Sequence, residues 1–263
     1  MSEQDRAQTA TPGRGFGASA ETYHRTADVQ KEVAERLIAS LQPWRDIVPP
    51  GPVVELGCGT GFVTESLLEM YPGRELWVTD RAPEMVDFCR ERFGEREGLR
   101  YEAMGAEEYE RGPEEVALTV SGFSAQWFRD PPFTLGRWLE RTRSGGLLLA
   151  SFPGHESFPE WREQCRELGL PFTGNVLPDT EEMVIKLTNG PAQVDYYEDT
   201  VTRNYDSSAD FFRHLKAIGA DRQLEGRRLT PREMRMLIRN WDRSAGDRIT
   251  VSYHVVFIAV KRD

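Results

Sequence analysis

Between Ala27 and Leu41 the apolar residues Val29, Val33, Leu37, Ile38 and Leu41 recur at helical spacing on one face, and Pro43 marks the stop. Beyond it, short apolar runs alternate with amphipathic stretches. Val53–Leu56 predicts a strand and Phe62–Met70 a helix. Glu75–Thr79 predicts a second strand, followed by a helix opening at Pro83, where proline's fixed φ suits the first turn. A weaker third strand falls at Leu99–Ala103, a buried fourth at Val116–Val120, and a fifth at Leu147–Phe152, entered through Gly145-Gly146. This alternation predicts an α/β fold, a mostly parallel sheet with helices on both faces.

Residues 153–192 break the rhythm. Five prolines (Pro153, Pro159, Pro171, Pro178, Pro191) and short helical stretches predict an insertion or lid. Val194–Asn204 then reads as a strand and Ser208–Ile218 as a helix with Phe211, Phe212, Leu215 and Ile218 inward. Thr230-Pro231-Arg232-Glu233 is a capping box with proline at the first helical position. The helix it starts carries Met234, Leu237, Ile238 and Trp241 on one face and Arg232, Arg235, Arg239 and Arg243 on the other. Ile249–Val260 closes the sheet as its seventh strand.

Composition narrows the function. A chain of 263 residues is long enough for one full core. The net charge of −10 argues against nonspecific nucleic-acid binding. The charge is uneven, however: Arg213 to Arg243 holds nine Lys/Arg against four Asp/Glu, a basic tract suited to an acidic partner. Cys58, Cys89 and Cys165 form neither a disulfide framework nor a zinc spacing, and fit a reducing compartment. No apolar run reaches membrane-spanning length and the first fifteen residues lack a signal-peptide core, so a cytoplasmic protein is expected. The histidines (His24, His155, His214, His254) show no metal-ligand spacing.

The chemistry concentrates in Glu55-Leu56-Gly57-Cys58-Gly59-Thr60-Gly61, which follows a strand and opens a helix. Its glycines permit a tight turn and let the backbone approach a ligand at the helix N-terminus. Asp80 ends the second strand, where a carboxylate can accept hydrogen bonds from both ribose hydroxyls. The order strand, loop, helix, strand, acid suits a nucleoside cofactor, although an NAD domain or an unliganded doubly wound domain has the same order. Asp80 alone serves equally as a cap before Pro83. Cys58 reads as a small loop residue rather than a nucleophile.

This loop resembles motif I of the class I S-adenosylmethionine (SAM)-dependent methyltransferases, whose fold is Rossmann-like. The resemblance implies SAM as cofactor, S-adenosylhomocysteine (SAH) as product, and contacts from Tyr23, Glu55, Gly57, Cys58, Gly59, Gly61, Asp80, Arg81, Met85, Gly105, Ala106, Glu107 and Ser121. Met85 suits a core position equally well. Met104-Gly105-Ala106-Glu107 departs from the usual Gly-Asp-Ala-Glu, whose Asp faces the adenine amino group. Gly105 leaves that contact to Ala106 or a neighbour.

Further segments resemble one family, the malonyl-acyl carrier protein O-methyltransferases of biotin synthesis. They are Phe16, Ala20, Tyr23 and Gln30 before and within the first helix; Ser124-Ala125-Gln126-Trp127; and Ser144 to Phe152, with Ser144 where proline is usual. Phe212–Ala220 and Leu229-Thr230-Pro231 complete the match. The resemblance implies that the SAM methyl passes to the free carboxylate of malonyl-acyl carrier protein, giving the methyl ester that starts pimeloyl synthesis. It divides the chain into an N-terminal flap and first helix (1–43), a SAM-binding core (44–152), a lid (153–192) and a C-terminal completion of the sheet (193–263). Tyr23, Trp127 and Phe152 become positioning aromatics, though each alone suits a core. His24, Gln126 and His155 fall near the substrate. Lys216, Arg222, Arg227, Arg228, Arg232, Arg235 and Arg239 would dock the acidic carrier, or form the solvated face of an amphipathic helix. No nucleic acid, membrane or metal is implied, and a monomer is expected. A SAM enzyme for another small carboxylic acid, and a non-catalytic SAM-binding protein, remain the alternatives.

Overall fold

The computed structural model describes residues 20–220 and 227–263. Phe16 and Arg222 lie outside them. Seven strands form one sheet in the order β3-β2-β1-β4-β5-β7-β6. They are β1 Val53–Leu56, β2 Leu76–Asp80, β3 Leu99–Ala103, β4 Val116–Gly122, β5 Thr142–Pro153, β6 Ala192–Tyr205 and β7 Ile249–Arg262. The pairs from β3 to β5 are parallel; β7 is antiparallel to both β5 and β6. Strand order reverses between β1 and β4, which opens a crevice at the carboxyl ends of these strands, where α/β proteins bind ligands.

Nine α-helices cover the sheet among the described residues: α1 Ala20–Thr26, α2 Asp28–Leu41, α3 Phe62–Met70, α4 Pro83–Phe93, α5 Pro131–Arg141, α6 Pro159–Glu167, α7 Thr180–Thr188, α8 Ser208–Ala217 and α9 Pro231–Ala245. Because strand side chains alternate, each central strand feeds two cores. Val53, Leu118, Leu147 and Leu149 point to the face holding α2, α3, α6, α8 and α9. Val54, Leu148, Ala150 and Phe152 point to the face holding α5 and α7.

The first long α-helix ends at Leu41, as the pattern and Pro43 place it. Pro43 then sits in a 3-10 turn, Gln42–Ile47, near whose start its fixed φ is accommodated. The α5 helix answers to no expectation above. Asp130 caps it by accepting from the Phe133 N–H at 2.9 Å, prolines occupy its first turn, and Leu135, Trp138 and Leu139 seal it against the sheet. Trp138 is fully buried and its indole N–H donates to the Ala106 carbonyl at 2.7 Å, tying α5 to the loop after β3. The α9 capping box is present as read, with the Thr230 hydroxyl and the Glu233 carboxylate each serving the other's backbone N–H.

The stretch 153–192 is not one body. Its first helix, α6, packs on α9 and β7, whereas α7 packs on α5 and β6 at the opposite face.

Candidate active site

The turn after β1 is held by three left-handed glycines: Gly57 (φ 75°), Gly59 (φ 51°) and Gly61 (φ 84°). Two also need their missing side chains. A Cβ on Gly57 would stand 2.6 Å from the Ser124 Cβ, and one on Gly61 2.5 Å from the Phe93 ring. Gly61 therefore lets α3 and α4 close up and does not itself line the cleft, whereas Gly57, Cys58 and Gly59 do. Asp80 braces the turn from β2. Its Oδ2 accepts from the Gly59 N–H at 2.9 Å and its Oδ1 from the Ala82 N–H at 2.8 Å. Burial pushes the Asp80 carboxyl up, and the N–H groups of Ala82, Gly59 and Arg81 pull it back.

Glu55, the acid of the preceding strand, is buried and accepts from the Thr64 hydroxyl at 2.5 Å. Burial raises its carboxyl to about 7, against the pull of that hydroxyl. Burial also raises the Cys58 thiol, whose sulfur lies 3.6 Å from that of Cys89; a protonated thiol in apolar surroundings is no nucleophile.

Helix α1 lies over the turn. The Tyr23 ring comes within ordinary contact distance, 3.7 Å, of the position a Gly59 Cβ would take. Burial first, and then the Asp80 charge, hold its phenol protonated well beyond the usual range. His24 anchors the helix: its Nδ1 is 3.0 Å from the Thr60 hydroxyl, and its ring stacks on Phe62. Burial lowers its pKa, so the imidazole is neutral near pH 7.

These elements enclose a cleft of about 990 Å³, counted to its open mouth. Glu55, Asp80, Arg81, Met85, Gly105, Ala106 and Glu107 join Tyr23 and the glycine turn in lining it, as does Trp127. Met85 is buried and faces the cleft too, so its core and site roles coincide. Ser121 stands one layer back. Its hydroxyl is 2.7 Å from that of Ser124, which lines the cleft and donates to the Leu56 carbonyl at 2.9 Å.

A second chamber of about 730 Å³ adjoins the first and shares Tyr23, Gln30, Phe123 and Trp127 with it. Its far wall brings Phe158 and Trp161 together with Leu215, Ile218 and Tyr253. No Asp, Glu, Lys, Arg or His lines it among the described residues. Its polar side chains are Gln30, Gln126, Asn175 and the two tyrosines, beside the indoles of Trp127 and Trp161. Gln126 donates to the Phe123 carbonyl at 2.8 Å, and the amide oxygens of Gln30 and Gln126 are buried with no hydrogen bond among the described residues.

Two residues expected near the substrate are elsewhere. Phe152 is fully buried on the α5–α7 side of the sheet, because strand alternation sends its neighbour Pro153 to the chamber. His155 is exposed and lines neither space; its Nδ1 lies 3.4 Å from the Asp179 carboxylate. Conversely, Phe123, Phe158, Trp161 and Tyr253 were not anticipated. Phe123 (φ 53°) and Phe158 (φ 64°) are two of three non-glycine residues at positive φ in the described chain, a strain that functional sites often hold.

On the outer surface Lys216, Arg228, Arg232, Arg235 and Arg239 are exposed. Arg227 differs, since its guanidinium grips the Glu233 carboxylate through two bonds of 2.8 and 2.9 Å, which hold that carboxyl down at about 2. The predicted docking tract thus loses one of its free charges to the α9 cap. No helix among the described residues is long and apolar enough to cross a membrane.

Residues 53–146 match a family model described as a methyltransferase domain. Among solved structures, YcgJ protein from Bacillus subtilis superposes with a TM-score of 0.61 at 13% identity, covering 87% of this chain and 98% of that one. A putative methyltransferase from Bacillus halodurans gives 0.57 at 13% identity, over 86% and 98%. These likenesses concern the fold. The malonyl-[acyl-carrier protein] O-methyltransferase of Anoxybacillus flavithermus is 28% identical over 93% of this chain and 94% of its own. That of Magnetococcus marinus is 32% identical over 93% of this chain and 90% of its own.

The cofactor of such enzymes is SAM, and the residues present fit it: a glycine turn without side chains, the Asp80 carboxylate braced behind it, and a cleft that adjoins a second chamber. With sequence identity above 30% running across nine-tenths of the chain, on a methyltransferase fold whose glycine turn and adjoining chamber are intact, the protein belongs to the malonyl-[acyl-carrier protein] O-methyltransferase family.

Proposed function

We propose that this methyltransferase transfers the methyl group of SAM to the free carboxylate of a malonyl thioester carried on acyl carrier protein, in the cytoplasm and as a single chain. The observation that carries this is the pairing of the cofactor cleft with an uncharged, largely apolar chamber across the shared wall of Tyr23, Gln30, Phe123 and Trp127.

Bound SAM supplies an electrophilic methyl on a sulfonium. The acceptor needs no general base, because a carboxyl of ordinary pKa, about 4, is already ionised at pH 7. The residues therefore position and exclude water. The aromatic wall removes the acceptor carboxylate from solvent, and the absence of a lysine or arginine among the described lining residues leaves its charge to face the sulfonium. Neutral amides at Gln30 and Gln126 line the chamber where a cation would form a competing ion pair. Alignment of this kind contributes roughly 7–11 kcal/mol to such a displacement.

The exposed surface supports a docking face for the carrier. Leu215 and Ile218, at the end of α8, line the chamber, and the exposed basic residues Lys216, Arg228, Arg232, Arg235 and Arg239 follow from the same helix to α9. An acidic carrier docked there would direct its thioester arm past α8, with the α6 portion of residues 153–192 closing the far side through Phe158 and Trp161. The cell-based test is growth without biotin, by cells that lack their own malonyl-carrier methyltransferase and receive this gene. Growth supports the proposal; failure by a soluble, SAM-binding protein counts against it.

A further inference from the structure

The wall of the cofactor cleft beyond Asp80 has a carboxylate that the chemistry so far does not use. Glu107 lines the cleft and is half-buried; its Oε1 accepts from the Arg129 N–H at 3.0 Å. Its Oε2 has no hydrogen bond among the described residues and lies 3.3 Å from where a Cβ on Gly105 would stand. The absent side chain at residue 105 is what leaves room for it.

The direction of the cofactor follows from the cleft's two ends. The reactive methyl must face the second chamber, on the side of β4 where Phe123 and Trp127 are shared. The ribose belongs at Asp80, at the end of β2. The base then falls on the remaining side, between Ala82 and Met85 of the β2–α4 turn and Met104 and Ala106 after β3. Those four side chains are apolar and buried, and suit the faces of a purine. At the rim stand Glu107, Glu108 and Arg81. Glu108 is occupied on both oxygens, by the Gly105 N–H and by Arg111, and Arg81 is an exposed cation. Of these three described side chains, Glu107 is the one that offers an unshared acceptor to the edge of the base.

We propose that Glu107 Oε2 accepts the exocyclic amino group of the cofactor's adenine and makes the site selective for adenine over 6-oxo purines. A 6-oxo base presents a carbonyl oxygen to the carboxylate, acceptor against acceptor. This rests on the cofactor reading, which the same titration examines separately.

The experiment is calorimetric titration of the full chain with SAH and with its 6-oxo (hypoxanthine) analogue, for wild type and Glu107→Gln. Wild type should bind SAH about tenfold or more tightly than the analogue, as expected for a hydrogen bond to a charged group. In Glu107→Gln the amide donates to the 6-oxo group and its oxygen still serves Arg129, so the preference should fall to about threefold or less. A double variant, Gly105→Asp with Glu107→Ala, should regain discrimination by placing a carboxylate in the same gap. Wild type that binds both ligands equally, or a Glu107→Gln protein that keeps the full preference, overturns the assignment while leaving the cofactor reading intact. Absence of any SAH binding by folded wild type overturns both.

Discussion

Replacing Asp80 by asparagine tests the cofactor site with the least change of shape. Each carboxylate oxygen of Asp80 already holds one backbone N–H, Gly59 at 2.9 Å and Ala82 at 2.8 Å, which leaves its outer lone pairs to the cleft. Asparagine has one carbonyl oxygen. It keeps either Gly59 or Ala82 and turns its own N–H groups toward the other, so one buried donor is orphaned at a cost of about 1–3 kcal/mol to the turn. The ribose meanwhile loses a bond to a charged acceptor, worth about 1.5–3 kcal/mol. The lost ribose bond alone predicts SAH binding weaker by about ten- to a hundredfold, each decade corresponding to about 1.4 kcal/mol, while the orphaned donor lowers the melting temperature. Because Asp80 acts on cofactor binding and not on the methyl in flight, kcat at saturating SAM should fall far less than kcat/KM. Calorimetry with SAH measures the affinity, and a melting curve separates it from loss of fold. A dissociation constant within about twofold of wild type, in a variant that is folded and melts cooperatively, would refute the role given to this acid.

Other outcomes follow from the same geometry. Gly57→Ala puts a Cβ within 2.6 Å of Ser124 at a φ of 75°, and is expected to cost about 1–2 kcal/mol in backbone strain alone, read as a lowered Tm and weakened SAH binding. Reversing charge with Arg235→Glu and Arg239→Glu should raise KM for malonyl-carrier about tenfold at low salt, an effect that added salt suppresses, while sparing malonyl-CoA. Equal losses on both substrates would remove α9 from docking. Glu55 gives a pH signature. Its folded carboxyl titrates near 7, above its unfolded value, so the native state without cofactor holds the proton more tightly. Its contribution is complete below about pH 4.5 and is lost as pH rises toward 7, by about 3 kcal/mol at most. Glu55→Gln should therefore flatten the fall in Tm between pH 5 and pH 8, and an unchanged profile would contradict the burial argument.

Much of the sheet was legible because its strands are short apolar runs set between amphipathic helices. Leu99–Ala103 and Phe62–Met70 begin and end where the pattern places them. The glycine turn was legible for a different reason: backbone at positive φ leaves few residue choices, so Gly57 and Gly59 announce the loop. Phe152 was misplaced because a strand buried on both faces shows no polar alternation to reveal which side a residue faces. The α5 helix was missed where Pro131-Pro132 and Gly136 suggest a break, although Asp130 and the spacing of Leu135, Trp138 and Leu139 carry a helical signal. The second chamber was beyond reach. Phe123, Trp161, Leu215 and Tyr253 come from four distant segments, and only the packing of α6 and α8 over the sheet brings them together.

The most direct measurement follows labelled methyl from SAM onto purified carrier proteins bearing malonyl or acetyl groups. The account predicts one alkali-labile methyl ester on malonyl-carrier and none on acetyl-carrier, which lacks the free carboxylate. Equal labelling of both carriers, or no labelling of malonyl-carrier by enzyme that demonstrably binds SAH, would contradict it.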